Sequence, residues 1–582
     1  MQKFYSTEKS VQVVVALLKA HNIRKVIASP GTTNITFVAS LQCDPFFEIY
    51  SAADERSAAY MACGLAVESG EPVVLSCTGA TASRNYIPAL TEAFYRKIPI
   101  LAVTSTQNTE KVGHLIPQVI DRSLHAADIV RYSVNVPAIT NDSQIWNCEI
   151  SVNNALLELK RNGGGPVHIN LATNYGKDFS VETLPEYRVI RRITLNDEFP
   201  ELPICRIAVF VGAHHKWSEA ETIAIDAFCS AVGGVVLCDH TSGYKGKYKV
   251  LSQLIYSQSS VDDEISNVDL LIHIGEVSGE YGFLNRISAK KVWRVSEDGE
   301  LHDTFRRLTC VFEMPERKFF EYYASKIEQN AKMSIYEEFA SRYDMIRAKT
   351  PELPFSNIWI AEKLSGFIPE NAVLHLGILN SLRAWNFFKV SDTIDVHSNV
   401  GGFGIDGGVS TLIGASLADS EKLYFGVVGD LAFFYDMNSL GNRHVGNNIR
   451  LMLINNGVGT EFKNYSHPAY RFGEDADKYM AAAGHYGNKS SMLVKHYAED
   501  LGFEYLSASD KNSFNEVYAK FVATEVSDKP ILFEVFTNSE DESEALYAMS
   551  NIYADSVKKA ANVVRSVLGE SAINVVKKII GR

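Results

Sequence analysis

The chain has 582 residues, which is too long for a fold around a single hydrophobic core, so two to four domains are expected. Hydrophobic residues make up 46% and charged residues 21%, as in an ordinary soluble globular protein. The net charge of −13 argues against a general nucleic-acid binder, because neutralising phosphates takes a surplus of Lys and Arg.

The cysteine pattern and the absence of long apolar segments bear on the compartment. The eight cysteines are scattered, with no close C-x-x-C pair, which fits neither a zinc site nor a disulfide framework and is typical of a reducing compartment. The first residues, MQKFYSTEKS, lack the pattern of a signal peptide. No window holds the roughly 18 uncharged apolar residues that a membrane span needs. A cytoplasmic protein without a transmembrane segment is predicted.

Short apolar runs alternate with helical patterns in the first third of the chain. Runs such as 72–76 (PVVLS) and 98–103 (IPILAV) flank helical patterns at 57–68 and 85–96. Runs without polar alternation are typical of strands buried on both faces, as in a parallel sheet covered by helices. A charged stretch at 187–201 is typical of a linker.

The same alternation occurs twice more, from 206 to about 312 and from about 356 to 536. Three doubly wound parallel-sheet domains of the α/β class are therefore predicted. After them, apolar residues recur at helical spacing and the chain ends on basic residues. That pattern predicts a C-terminal helical extension that serves as a packing helix, an oligomer contact or a membrane-surface helix. The predicted bounds are 1–185, 200–345, 353–540 and 541–582.

Two polar segments in the third block each follow an apolar run. Gly429-Asp430-Leu431 follows the run 423–428, and Asn456 follows the run 451–454. Both should lie at the carboxyl ends of parallel strands, where open α/β sheets bind ligands. Asp430 offers a carboxylate oxygen, Asn456 an amide oxygen and the following backbone a carbonyl. With diphosphate oxygens and water, these groups would complete an octahedral Mg²⁺ site.

A second acidic segment, Asp54-Glu55-Arg56, follows a short apolar run in the first block and opens a helical pattern. Taken alone, an acidic pair at a helix start is favourable helix-dipole chemistry. Its position at a strand-to-helix junction also makes Glu55 a candidate functional carboxylate.

Through these and further segments, the chain resembles thiamine-diphosphate enzymes of the decarboxylase and acetohydroxyacid synthase type over nearly its whole length. Within that group it most resembles the menaquinone-pathway 2-succinyl-5-enolpyruvyl-6-hydroxy-3-cyclohexene-1-carboxylate synthases. The segments that carry the resemblance are 29–31 (SPG), 54–56 (DER), 77–82 (CTGATA), Gln118, 380–382 (NSL), 399–411 (NVGGFGIDGGVST) and 429–438 (GDLAFFYDMN).

The resemblance implies thiamine diphosphate and Mg²⁺ as cofactors, and pyrimidine-binding, central and diphosphate-binding roles for the three domains. Glu55 would bind the aminopyrimidine ring nitrogen, Ile405 would hold the cofactor bent, and Gln118 would hydrogen-bond the reacting carbonyl or a water. The implied metal ligands are Asp430, Asn456 and the Val458 carbonyl. The implied cofactor-binding residues are Pro30, Gly31, Glu55, Thr78, Gly79, Asn380, Ser381, Gly404, Ile405, Gly429, Asp430, Leu431 and Ala432.

The resemblance also implies an assembly. Family sites form where the first domain of one subunit meets the third domain of another, so a homodimer or homotetramer with shared active sites is expected. The central domain holds FAD or a nucleotide in some relatives. Here it has no G-x-G-x-x-G fingerprint and is predicted to be structural.

Three arginines that the resemblance leads us to expect are absent. Thr33 stands where the first is expected, Thr106-Gln107-Asn108 replaces an Asp-Arg-Pro, and Trp385 replaces the third. Arginine is hard to replace in bidentate carboxylate binding, so these changes argue against the menaquinone reaction itself. Residues that could recognise another substrate, although a plain surface or core role is favoured for each, are Thr33, Asn34, Arg84, Gln107, His114, Arg383, Lys463 and His467.

The segment 463–495 is predicted to be a mobile lid or an exposed insertion. Three functions remain open. The first is a carboligase, in which a 2-oxo acid loses CO₂ and the carbanion attacks an aldehyde or enone acceptor. The second is a simple 2-oxo acid decarboxylase or carbon–carbon lyase. The third, a non-catalytic cofactor-binding relative, is disfavoured because all five key residues are present: Glu55, Gln118, Ile405, Asp430 and Asn456.

Overall fold

The computed structural model of the chain describes residues 4–122, 125–203, 206–259, 265, 267–279, 284–327, 334–485 and 489–553. It divides the chain into two compact units, one within 1–199 and 298–313, the other within 200–297 and 314–582. Parallel sheets covered by helices occur three times along the chain, which confirms the predicted α/β class. The predicted domain bounds stay a prediction.

The first unit contains a six-stranded parallel sheet with the order β2-β1-β3-β4-β6-β5. Its strands are β1 (Lys25–Ala28), β2 (Glu48–Ser51), β3 (Val73–Cys77), β4 (Ile100–Thr106), β5 (Tyr132–Val136) and β6 (Val167–Ala172). Its helices are α1 (Lys9–Ala20), α2 (Ile35–Gln42), α3 (Glu55–Ser69), α4 (Thr81–Asn85), α5 (Ile87–Arg96) and α6 (Asp142–Glu158).

Alternate residues of its central strands supply two separate cores. Val74 belongs to the core that α1, α2 and α6 cover, whereas Val73 and Leu75 belong to the core that α3 and α5 cover. Every residue of β3, β4 and β6 is buried, as the uninterrupted apolar runs predict.

Two predictions for this unit are wrong in detail. The predicted linker 187–201 contains a strand, β7 (Arg191–Thr194), which pairs in parallel with β13 (Leu308–Glu313). The stretch is not a linker because its charges are paired within the unit: Arg192 lies 2.9 Å from Glu158. The predicted helix 85–96 is broken at the buried Tyr86, because Pro88 in the first turn of α5 has no N–H to continue α4.

The second unit contains two further parallel arrangements. The strands β8 (Ile207–Val211), β9 (Val235–Cys238), β10 (Lys249–Leu251), β11 (Asn267–Ile274) and β12 (Ser288–Ser296) run in the order β10-β9-β8-β11-β12. The accompanying helices are α7 (Glu219–Val232), α8 (Gln253–Tyr256), α9 (Glu316–Lys326) and α10 (Ile335–Arg347).

The other sheet of this unit has six strands in the order β15-β14-β16-β17-β19-β18. The strands are β14 (Val373–Leu376), β15 (Asp395–His397), β16 (Tyr424–Gly429), β17 (Ile449–Asn455), β18 (Glu504–Ala508) and β19 (Ile531–Phe536). The helices are α11 (Asn357–Leu364), α12 (Asn380–Asn386), α13 (Gly408–Ser416), α14 (Asp430–Asp436), α15 (Asp475–Tyr479), α16 (Leu493–Asp500), α17 (Lys511–Phe521) and α18 (Ser539–Ser550).

The predicted C-terminal extension is described only in its first part. Helix α18 runs across its start, and residues 554–582, with the basic end of the chain, lie outside the described residues. The extension therefore stays a prediction. No helix within the described ranges has both the length and the apolar character needed to cross a bilayer.

Truncating Leu412 tests the packing of the last sheet. Leu412 in α13 is fully buried and fills the space over Gly426 of β16, where a Cβ would lie 2.6 Å from its Cδ2. Leu412→Ala should lower the free energy of unfolding of this unit by about 2–5 kcal/mol, because it leaves a cavity. Leu417→Ala, at a position 59% exposed, should cost less than about 0.5 kcal/mol. Urea unfolding measures both, and equal losses would contradict this packing.

Candidate active site

The polar segments of the second unit gather at one edge of the last sheet. In the parallel register Gly429 of β16 pairs with Ile454 of β17, and Leu376 of β14 pairs with Val427. Asp430, Asn456 and the start of α12 therefore follow three neighbouring strands at their carboxyl ends. Open α/β sheets bind ligands at this edge.

An open cleft of about 670 Å³ lies at this edge. Gly404 lines a smaller neighbouring cavity together with Ile405, which is half-buried. Apart from Gly404, the residues of this unit that were predicted to bind the cofactor and the metal all line the cleft itself. They are Asn380, Ser381, Ile405, Gly429, Asp430, Leu431, Ala432, Asn456 and Val458. The structure thus brings these predicted residues together.

Asp430 is the first residue of α14 and is 5% exposed. Its carboxylate accepts backbone N–H groups of Leu431 and Gly457 at 2.7 and 2.6 Å. Burial outweighs these hydrogen bonds and raises the pKa of Asp430 from 3.8 to about 6. Because the pKa is raised in the folded state, this group makes the cofactor-free fold less stable as the pH rises from about 4 to about 6.

Asn456 supplies an oxygen without a partner. Its Oδ1 atom is buried and accepts no hydrogen bond from the described residues, which is rare for a buried polar atom. Val458 lies two residues further on, and its carbonyl accepts one hydrogen bond, at 3.3 Å from Thr460 Oγ1. A carboxylate, an amide oxygen and a carbonyl are hard oxygen donors of the kind that Mg²⁺ binds. The described residues contain no group of three or more His, Cys, Asp or Glu side chains that could hold a metal ion.

Glu542 and Asn357 are among the cleft residues that were not found from the sequence. Glu542 in α18 is 6% exposed and accepts hydrogen bonds from Asn357 N–H at 2.9 Å and Thr537 Oγ1 at 2.8 Å. Burial raises the pKa of Glu542 to about 7. Asn357 also donates to the Ser381 hydroxyl at 3.2 Å. Glu542 lies far along the chain from the other cleft residues, in a segment without a recognisable motif.

The first unit holds Glu55 at the position that the sequence predicts. Glu55 is half-buried and begins α3 immediately after Asp54, whose side chain caps the helix by accepting from Ser57 N–H at 2.9 Å. Asn85 donates to Glu55 Oε2 at 3.2 Å. The carboxylate is therefore oriented within the unit at the end of the β2–α3 connection.

Close backbone packing surrounds two predicted glycines of this unit. A Cβ on Gly31 would lie 2.4 Å from Thr78 Cβ, so a side chain has no room beside the exposed Pro30. A Cβ on Gly79 would lie 3.1 Å from the backbone carbonyl oxygen of Gln118. Gln118 is exposed and has a φ of +66°, an uncommon conformation for a residue other than glycine.

The predicted substrate residues of the first unit differ in exposure. Thr33 and Asn34 are buried: the Thr33 hydroxyl contacts Thr78 Oγ1 at 2.6 Å, and Asn34 Nδ2 donates to the Ser29 carbonyl at 3.0 Å. Arg84 and His114 are exposed, and Arg84 donates to the Asp121 carbonyl. Gln107 is half-buried and accepts from Lys111 at 2.8 Å. A substrate contact by any of them stays a prediction.

In the second unit the predicted substrate cations are held by acids. Arg383 lies 2.9 Å from Glu461, and Lys463 pairs with Asp477. His467 accepts from the backbone N–H of Ala469 at 3.1 Å. The segment 463–495 includes short helical turns at Pro468–Phe472 and Asp475–Tyr479 and the start of α16, while 486–488 lie outside the described residues. Its role as a lid stays a prediction.

Comparison with known proteins adds to this geometry. Residues 9–125 match the family described as thiamine pyrophosphate enzyme, N-terminal TPP binding domain. The chain is 32% identical over 565 residues to the 2-succinyl-5-enolpyruvyl-6-hydroxy-3-cyclohexene-1-carboxylate synthase of Bacteroides fragilis, covering 93% of this chain and 98% of that protein. The synthase of the same name from Bacteroides thetaiotaomicron is 32% identical over 572 residues, with the same coverage.

Among solved structures, a thiamine diphosphate-dependent 4-hydroxybenzoylformate decarboxylase from Rhodococcus jostii RHA1 covers 91% of this chain and 99% of its own. Its sequence identity to this chain is 16% and its TM-score is 0.39.

The N-terminal match and the relatives define the class of protein: a thiamine-diphosphate-dependent transferase or lyase that acts on a 2-oxo acid. The identity of 32% extends over almost the full length of both chains. The chain belongs to the 2-succinyl-5-enolpyruvyl-6-hydroxy-3-cyclohexene-1-carboxylate synthase family.

Replacing Asp430 tests the cleft as a metal site. Asp430→Asn should weaken Mg²⁺-dependent thiamine diphosphate binding by at least about a hundredfold, since losses outside the ligand shell alone cost 10–100-fold. For the unchanged protein the Mg²⁺ affinity should fall roughly tenfold per pH unit below pH 6, because a proton competes for Asp430. Calorimetric titration measures both effects.

The same variant should leave the cofactor-free protein at least as stable at pH 7, because it removes a buried charge. The exposed Asp528→Asn is the matched control and should change neither property. Unaltered Mg²⁺ affinity in Asp430→Asn would exclude Asp430 as a ligand.

Proposed function

We propose that the protein is a Mg²⁺-dependent carboligase that removes CO₂ from a 2-oxo acid and joins the remaining carbanion to an acceptor. The observation that carries this proposal is the near full-length relationship to proteins named as synthases, which are bond-forming enzymes. A simple decarboxylase would use the same cofactor residues, so the acceptor step is what requires a test.

The cleft residues have a direct part in this proposal. Asp430, Asn456 and the Val458 carbonyl would hold Mg²⁺, and the orphaned Asn456 oxygen supports this role. Ser381 and the backbone at Leu431 and Ala432 would line the diphosphate. Ile405 would support the cofactor with its apolar side chain. Thiamine diphosphate, when bound, would supply the electron sink for the electron pair that is left behind when CO₂ departs.

The residues of the first unit orient and move protons. Glu55 would exchange a proton with the aminopyrimidine ring, and its hydrogen bond from Asn85 fixes one carboxylate oxygen. Gln118 would donate a hydrogen bond to the reacting carbonyl or to a water, which its exposure permits. Pro30, Gly31, Thr78 and Gly79 would form the surface that holds the pyrimidine ring, and the close packing of both glycines supports this role.

We propose a cytoplasmic homodimer or homotetramer, in which the pyrimidine-binding region of one chain and the diphosphate-binding region of another share each active site. The thiols are consistent with a reducing compartment, since no cysteine within the described residues forms a disulfide. Sedimentation with and without cofactor tests the assembly, and an active monomer would exclude shared sites.

A panel of 2-oxo acids separates carboligation from decarboxylation. CO₂ release is measured from pyruvate, 2-oxoglutarate, oxaloacetate and phosphonopyruvate, with Mg²⁺ and thiamine diphosphate, with and without aldehyde or enone acceptors. A carboligase releases CO₂ from one donor faster when an acceptor is present and forms a coupled product. Equal rates without an acceptor, and no coupled product, would establish a simple decarboxylase instead.

Replacing Glu55 tests the proton-transfer role. Glu55→Gln keeps the size of the side chain but cannot exchange a proton, so CO₂ release should fall by roughly 10²–10⁴-fold. The dissociation constant for thiamine diphosphate should change by less than tenfold, since the ring contact remains. Glu68→Gln, an exposed position at the other end of α3, is the control and should keep full activity. Undiminished turnover in Glu55→Gln would exclude the role.

A further inference from the structure

Arg122 is a buried guanidinium with almost no hydrogen-bond partners. It is 2% exposed, and among the described residues its guanidinium makes one hydrogen bond, from Nη2 to the Ser105 carbonyl at 3.2 Å. Its Nε and Nη1 atoms are buried and have no acceptor in the described part of the chain. No Asp or Glu side chain in the described part of the chain lies within ion-pair distance of Arg122. A buried cation normally has an acid beside it, because desolvation without a partner is costly.

The surroundings of Arg122 add positive charge rather than cancel it. Burial, and then the nearby Arg84, lower its pKa to about 10, so the guanidinium keeps its proton near neutral pH. His125 is also close: its Nδ1 atom is buried without a partner, and burial followed by the charges of Arg84 and Arg122 lowers its pKa. His125 contacts His168 at 3.0 Å. Near neutral pH both histidines are therefore uncharged, Arg84 adds positive charge beside Arg122, and no carboxylate of the described residues pairs with Arg122.

The guanidinium lies among residues already placed at the reacting end of the first unit. A Cβ on Gly79 would lie 3.9 Å from Arg122 Nη1 and 3.1 Å from the Gln118 carbonyl oxygen, so the glycine keeps this space free of a side chain. The Ser105 carbonyl that accepts from Arg122 also accepts from the Thr33 hydroxyl at 2.9 Å. Arg122 thus stands at the carboxyl ends of β3 and β4, beside Gly79 and Thr33.

We propose that Arg122 is the receptor for a substrate carboxylate, one other than the carboxylate that leaves as CO₂. This inference rests on the proposed function for the position of the substrate. Nη2 carries a second hydrogen besides the one given to Ser105, and together with Nε or Nη1 on the same edge of the guanidinium it suits the two oxygens of a carboxylate. The leaving carboxylate is not the ligand, because an ion pair would stabilise the charge that decarboxylation must remove. The carboxylate belongs either to a dicarboxylic donor or to the acceptor.

The kinetic test uses the full-length protein with Mg²⁺ and thiamine diphosphate. If the donor provides the carboxylate, Arg122→Met should raise the KM for 2-oxoglutarate about ten- to hundredfold, the value of hydrogen bonds to a charged group, while kcat/KM for pyruvate changes little. Arg122→Lys should recover part of the loss, since it keeps the charge without the planar fork. Arg96→Met, on an exposed arginine paired with Glu92, is the control.

Two acceptors distinguish the source of the carboxylate. If the acceptor provides it, Arg122→Met should weaken coupling to glyoxylate but not to acetaldehyde, with the donor KM unchanged. If the donor provides it, both acceptors should respond alike. Unchanged KM values for all carboxylate substrates in Arg122→Met would overturn the proposal.

A thermal-shift measurement separates a receptor from a structural arginine and does not depend on turnover. Without ligands, Arg122→Met should unfold at the same or a higher temperature than the unchanged protein, because a buried unpaired charge is removed. Addition of 2-oxoglutarate should stabilise the unchanged protein but not the variant. A lower unfolding temperature with the ligand response retained would show a structural role. A ligand response without CO₂ release from any donor would contradict the proposed function and leave the Arg122 site standing.

Discussion

The positions of the candidate functional residues depend on where a parallel sheet can present polar atoms to a ligand. The central strands are buried on both faces and their backbone groups are used in the ladder, so only the strand ends can present polar atoms to a ligand. β16 and β17 lead into Asp430 and Asn456, and β3 leads into Gly79. The fold therefore determines where the chemistry can lie before any side chain is considered.

At these ends the structure keeps polar groups that the protein itself does not satisfy. Asp430 is buried enough to resist ionisation, and Asn456 has an amide oxygen without a donor. Arg122 is the cationic counterpart in the first unit. Each group lowers the stability of the fold when no ligand is bound. A metal cation would suit the oxygens of Asp430 and Asn456, and a carboxylate would suit Arg122. Groups that destabilise the free fold in this way are typical of binding sites, because the ligand then supplies what folding leaves out.

The sequence predicts the parts of this arrangement that depend on local pattern. Uninterrupted apolar runs identify β3, β16 and β17, and a parallel register brings Asp430 beside Asn456 without any long-range information. The sequence does not reveal Glu542 or Arg122 as site residues, because their importance lies in burial and in partners, or missing partners, far along the chain. β7 was missed for a related reason: a charged stretch is typical of a linker until its arginines are seen to pair within the unit.

Arg122 also changes what the missing arginines mean. The absence of arginine at position 33 argues against a carboxylate-rich substrate only if no other guanidinium reaches the same place. Thr33 and Arg122 donate to one and the same carbonyl oxygen, that of Ser105, so Arg122, which follows Gln118 in the chain, lies close to Thr33. In the proposed site a binding charge is kept in this part of the unit although its position in the sequence differs. Substrate preference in this chain is therefore better inferred from unpaired buried groups than from motif positions, and the proposed Arg122 site would favour a donor or an acceptor that carries a carboxylate of its own.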